Sequence, residues 1–125
     1  MYRKEYKSST SDKDMNIIYT KSFDATYKYL KKYPKERKNL NDIKELVEEV
    51  DTFNDLINNP IAKMYSFEGL KHKKSGYYSF NLAKRGGVIR LIVQPSSDGK
   101  DLIFVFISFD HYKDFSSERV IFYDE

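Results

Sequence analysis

Three separate stretches hold the residue types that do polar chemistry: residues 68–78 (EGLKHKKSGYY), Arg90, and residues 110–113 (DHYK). Breaking an RNA backbone without a metal takes a base for the 2′-hydroxyl proton, an acid for the leaving 5′-oxygen and a cation for the charged phosphate. Glu68, His111 and Arg90 are side chains of those three types. Imidazole suits the acid because its ordinary pKa of about 6.5 lets it change protonation near neutrality. Lys71, Lys73 and Lys74 would add phosphate contacts, and Tyr77 or Tyr112 could stack on a base or orient the phosphate. Each has a plainer reading. A short Lys cluster is usually a solvated surface, His72 within it is a solvated residue, and Tyr77, Tyr78 and Phe80 alternate as strand residues facing a core do.

Other chemistries find no support. Nothing matches a phosphate-cradling glycine loop, a zinc-binding helix or a nucleophile elbow, and the paired glycines Gly86 and Gly87 read as a turn. With no Cys there is no disulfide, thiolate nucleophile or Cys-ligated zinc, which fits a reducing compartment. The expected chemistry needs no metal and no small-molecule cofactor. No apolar run approaches the ~20 residues that span a bilayer, and residues 1–14 are polar rather than signal-like. A cytoplasmic protein with no membrane partner is therefore expected. Net charge is only +3, but residues 59–113 hold nine Lys/Arg against four Asp/Glu, leaving the remainder slightly acidic. Basic charge thus gathers in the same half as the candidate residues.

The elements that must position them follow from periodicity. Residues 1–14 are charged, rich in Ser and Thr and without an apolar period, predicting a mobile extension, with Met15 as a possible alternative start. Residues 16–20 (NIIYT) predict a strand, and Ser22 offers a cap for a helix beginning at Phe23. Phe23, Tyr27 and Leu30 make one helical stripe that Pro34 ends. A second helix is predicted through Leu40, Ile43, Leu46, Val47 and Val50, continuing after a possible break through Phe53, Leu56 and Ile57 until Asn58, Asn59 and Pro60 stop it.

Beyond Pro60 the period becomes that of strands, over residues 76–83, 88–94 and 101–109. Gly86-Gly87 and residues 95–100 supply the turns of an antiparallel meander. The last strand is apolar at nearly every position, so it should be central. Strands in such a sheet lie ~5 Å apart, which lets Arg90 and the His111 turn face one groove. Residues 119–123 (RVIFY) could add an edge strand. A single domain over residues 15–125 is expected.

LKHKKSGYYS, then VIRLIV, then a strand ending in HY resembles the RelE/ParE toxin superfamily, especially its YoeB-like members, over residues 16–112. The resemblance implies an α+β fold: a short N-terminal strand and a helical hairpin packed on a three- to four-stranded antiparallel sheet. It further implies a ribosome-dependent endoribonuclease acting on mRNA by 2′-hydroxyl attack, bound and silenced by a cognate antitoxin protein, with mRNA and ribosomal RNA as its other partners. On the motif, the general base falls on Glu68, the strand arginine on Arg90, and the terminal pair on His111 and Tyr112. The sequence departs from the pattern in a C-terminal extension from about residue 113. It also has Ser79 and Asn81 where relatives place Lys or Arg, for which Lys84 and Arg85 could partly substitute, with Lys113 near the site. Two alternatives stay open: a non-enzymatic gyrase inhibitor of the ParE kind, and a degenerate member that only binds.

Overall fold

Two threonines decide how the first helix meets the sheet. In the computed structural model, which describes residues 3–5, 15–71 and 74–123, helix α1 spans Lys21–Tyr27. Its cap is Thr20, two residues earlier than the Ser22 expected from sequence: the Thr20 hydroxyl accepts from Phe23 N at 2.9 Å and donates to Val105 O at 2.7 Å. Thr20 wins because it is fully buried and can satisfy a strand carbonyl at the same time. Thr26 accepts from Ile107 N at 3.0 Å, tying the same helix to the same strand. Thr20→Ala should therefore cost about 2 kcal/mol, because it removes a cap and strands a buried carbonyl; urea denaturation monitored by circular dichroism checks this.

After α1 the chain tightens into a 3-10 turn at Lys28–Lys32. Pro34 both stops that turn and opens helix α2 (Pro34–Glu49), whose missing N–H is harmless at a first helical position. Leu40, Ile43, Leu46 and Val47 form its buried face. The expected break occurs at residues 50–52, where Thr52 caps helix α3 (Phe53–Ile57). Pro60 stops nothing: Asn59 accepts from Ile61 N and Ala62 N and starts helix α4 (Pro60–Met64).

The sheet has, among the described residues, the order β1-β2-β6-β5-β4-β3, with β1 at Arg3–Glu5, β2 at Asn16–Tyr19, β3 at Glu68–Gly69, β4 at Tyr78–Asn81, β5 at Arg90–Pro95 and β6 at Asp101–Ser108. The predicted meander is present as the antiparallel β4-β5-β6, and the apolar β6 is internal as its sequence required. What widens the sheet is β2, which pairs parallel to β6 (Ile17 with Leu102, Tyr19 with Phe104), a pairing that needs the long intervening chain as its crossover. Arg3–Glu5, within the expected extension, pairs antiparallel with β2; residues 1–2, 6–14 and 124–125, and His72 and Lys73, lie outside the described residues.

One sheet face, with Ile17, Tyr19, Phe80, Leu91, Val93 and Phe104, packs on the helices. The other face, with Ile18, Ile92, Ile103 and Val105, is covered by the C-terminal segment through Phe115 and Val120. Residues 119–123 are not an edge strand. The segment forms a 3-10 turn at Ser117–Arg119 and docks on the start of α1: Ser22 N donates to Ile121 O, Ile121 N donates to Ser22 Oγ, and the Tyr123 hydroxyl donates to Asp24. Asp98 shapes the β5-β6 turn. The Lys100 N–H, then the Ser96 hydroxyl, hold its carboxyl below the usual range. No helix of the described residues is long and apolar enough to cross a membrane.

Candidate functional site

Register places two of the candidate residues on one face. Glu68 lies opposite Ser79, Asn81 lies opposite Arg90, and Ser79 and Asn81 are two apart on β4, so Glu68 and Arg90 rise from the same side of the sheet, away from the helices. Two strand spacings and a two-residue offset put their Cα atoms ~12 Å apart. Glu68 is exposed on the edge strand. It lines a cavity of about 380 Å³ with Gly69, Leu70, Lys71, Lys74 and Tyr112. Lys71 is thus in the groove.

Arg90 is different. Only 8% of it is exposed, although it is always charged. Its Nη1 donates to the Gly87 and Ile89 carbonyls at 3.3 Å, and no carboxylate among the described residues pairs with it. The Tyr112 ring lies over it, 5.7 Å from the guanidinium carbon. A buried guanidinium holding weak carbonyl bonds and a ring face, with no anion among the described residues, retains donor capacity for a phosphate.

The loop after β6 brings His111 and Tyr112 to this face. The Ser108 hydroxyl donates to Asp114 and accepts from Tyr112 N at 2.9 Å, while the other Asp114 oxygen accepts from Phe109 N at 2.8 Å. His111 N donates to Val88 O at 3.0 Å, fixing the loop beside the entry to β5. This clamp holds His111 and Tyr112 in left-handed conformations, φ 49° and 75°, each costing an ordinary residue about 1 kcal/mol. His111 remains exposed, its ring 4.9 Å from that of Tyr112. Tyr112 spans the face: its hydroxyl shares a 2.7 Å hydrogen bond with Ser79, and its carbonyl accepts from Lys74 Nζ at 2.7 Å.

The other candidates are placed less centrally. Tyr77 packs edge-on against Phe115, ring centroids 5.2 Å apart, beneath the C-terminal segment rather than open to a base. Lys84 and Arg85 are exposed in the loop between β4 and β5, Lys84 with its ammonium 5.5 Å above the Tyr65 ring. Lys113 is exposed beside the clamp. Asn81 is a shaping residue: its amide donates to Gly86 O and accepts from Ala83 N, building the wide loop that replaces the expected tight Gly86-Gly87 hairpin. Sequence reasoning noted Ser79 only as a departure from the family pattern and missed Ser108 and Asp114, which with it orient Tyr112 and its loop; a lone serine in a strand gives no signal of that role. Among the described residues no three His, Asp or Glu side chains converge.

No protein-family profile matches the sequence, and no curated protein matches it. Solved structures do. A YoeB/ParE toxin from Agrobacterium tumefaciens superposes with a TM-score of 0.52 at 19% identity, over 74% of this chain and 95% of that one. YafQ from E. coli strain BL21(DE3) gives 0.53 at 21% identity, over 77% and 93%. With its short N-terminal strand, helical hairpin and sheet in that order, the chain has a RelE/ParE-like toxin fold.

Proposed function

We propose that the chain is the toxin of a toxin-antitoxin pair, acting in the cytoplasm as a metal-independent endoribonuclease on mRNA at the ribosome. The observation that carries this is the buried Arg90 guanidinium, unpaired with any carboxylate among the described residues, on the same sheet face as the exposed Glu68, with His111 held at the face's edge. On this reading Glu68 takes the 2′-hydroxyl proton, and the oxygen attacks the adjacent phosphorus. Arg90 then stabilises the charge gathering on the phosphate, and His111 gives a proton to the departing 5′-oxygen. The products are a 2′,3′-cyclic phosphate and a 5′-hydroxyl.

A phosphate reaching Arg90 has to displace the Tyr112 ring that lies over it. Lys71 and Lys74, which line the groove, would contact the message, and the exposed Lys84, Arg85 and Lys113 would add outlying contacts for ribosomal RNA. A cognate antitoxin would silence the protein by covering this face. A second reading, binding without cleavage, is favoured by the coverage of Arg90 and by Phe115 sealing the sheet.

Purified protein added to a translation extract with a defined message decides between them. Primer extension should show new ends within the translated region, and expression should arrest growth. Intact message with stalled supercoiling by gyrase would replace this reading with gyrase inhibition. Intact message, normal supercoiling and normal growth would leave only binding.

A further inference from the structure

A second surface, outside the groove, has the composition of a strand-binding platform. Tyr29 and Tyr33 are 59% and 40% exposed, large values for rings. Both pack against Phe109, with centroids 6.4 Å and 5.8 Å away. Phe109 stands two residues before His111 and its backbone is held by the Asp114 clamp, so this aromatic cluster is continuous with the candidate catalytic loop. The segment bearing the tyrosines, KYLKKYPKER, also presents Lys28, Lys31, Lys32, Lys35 and Arg37, all exposed, against Glu36 as its one acid.

Exposed rings interleaved with cations are what single-stranded nucleic acid requires: every base has a face to stack, and every phosphate a charge to neutralise. An acidic protein partner would also pair with the cations, but the interleaving of rings and cations matches the alternation of base and phosphate along a strand. We propose that Tyr29, Tyr33 and Phe109 stack unpaired bases of an RNA strand whose phosphates are held by Lys28, Lys31, Lys32, Lys35 and Arg37. Phe109 packs with the helix-side core, so the platform lies across the His111 loop from the groove, and a strand occupying both crosses that loop onto the 3-10 turn. It builds on the nuclease reading only in the choice of RNA, and binding needs no cleavage.

The test uses a fluorescein-labelled 2′-O-methyl oligouridylate, which lacks the attacking hydroxyl, and fluorescence anisotropy with the full chain. Tyr29→Ala and Tyr33→Ala should each weaken binding about 5- to 100-fold, whereas Tyr29→Phe keeps the ring and should bind within twofold of the parent. Changing Lys31 and Lys32 to Ala should flatten the salt dependence by roughly 1.4 in log–log slope. Matching thermal midpoints confirm that these exposed changes leave the fold intact. Alanine variants binding within twofold of the parent, or Tyr29→Phe as weak as Tyr29→Ala, would overturn the platform; the surface would then suit a protein instead. Should the parent cut no message yet bind through Tyr29 and Tyr33, the platform stands and the nuclease reading falls.

Discussion

On the proposed nuclease reading, His111→Asn should lower the rate of message cleavage by about 10²- to 10⁴-fold, the usual contribution of one positioned acid or base. Asparagine is the informative replacement because it tolerates the left-handed backbone at φ 49° while removing the imidazole. The loop should keep its Val88 hydrogen bond, and the urea midpoint should not move. Glu68→Gln, on the exposed edge strand, should reduce the rate over the same range without unfolding the protein. Combining the two should cost less than the product of the single losses, since acid and base act in one step. Single-turnover cleavage with quantified primer extension reads each value. Either variant retaining more than a third of the parental rate would remove that residue from the chemistry.

Phe104→Ala should bring the largest loss of stability. Phe104 is fully buried on the internal strand β6, opposite Tyr19, and its ring packs 5.7 Å from both Tyr19 and Phe23. Truncating a buried Phe removes apolar burial and leaves a cavity, together about 3–5 kcal/mol. Domains of this size are stable by only about 5–15 kcal/mol, so much of the variant should be unfolded well below the parent's melting temperature. Met64→Ala, at a residue 58% exposed, should shift stability by less than about 0.5 kcal/mol. Urea titrations of both measure the contrast, and a Phe104→Ala cost near 1 kcal/mol would contradict the packing of β2 and α1 on β6.

What the sequence revealed divides along the distance between interacting residues. The apolar run in β6 announced an internal strand, and the period through Leu40, Ile43, Leu46 and Val47 announced a helix, because burial of a whole face leaves a local pattern. The parallel pairing of β2 with β6 left none, since its partners are some 85 residues apart, as Ile18 and Ile103 show. Asn59-Pro60 was ambiguous for a physical reason: asparagine and proline suit both the end of one helix and the first turn of the next.

In the candidate site, Glu68, Arg90 and His111 could be named from type and order, but the Tyr112 ring over Arg90 could not. It depends on a clamp between Ser108 and Asp114 that only the folded loop creates. Tyr29 and Tyr33 escaped notice because the helical period assumed around Tyr27 breaks at Lys28, where the tighter turn rotates them outward.

The hub of the sheet, β6, is also the last strand to be synthesised. β2 leaves the ribosome early, yet its neighbour β6 does not exist until some 85 further residues have emerged, as Ile18 and Ile103 show. A half-made chain therefore holds exposed apolar strands and no assembled groove. On the proposed reading, such a chain would be inert toward its own message, and vulnerable to proteolysis, until β6 has emerged.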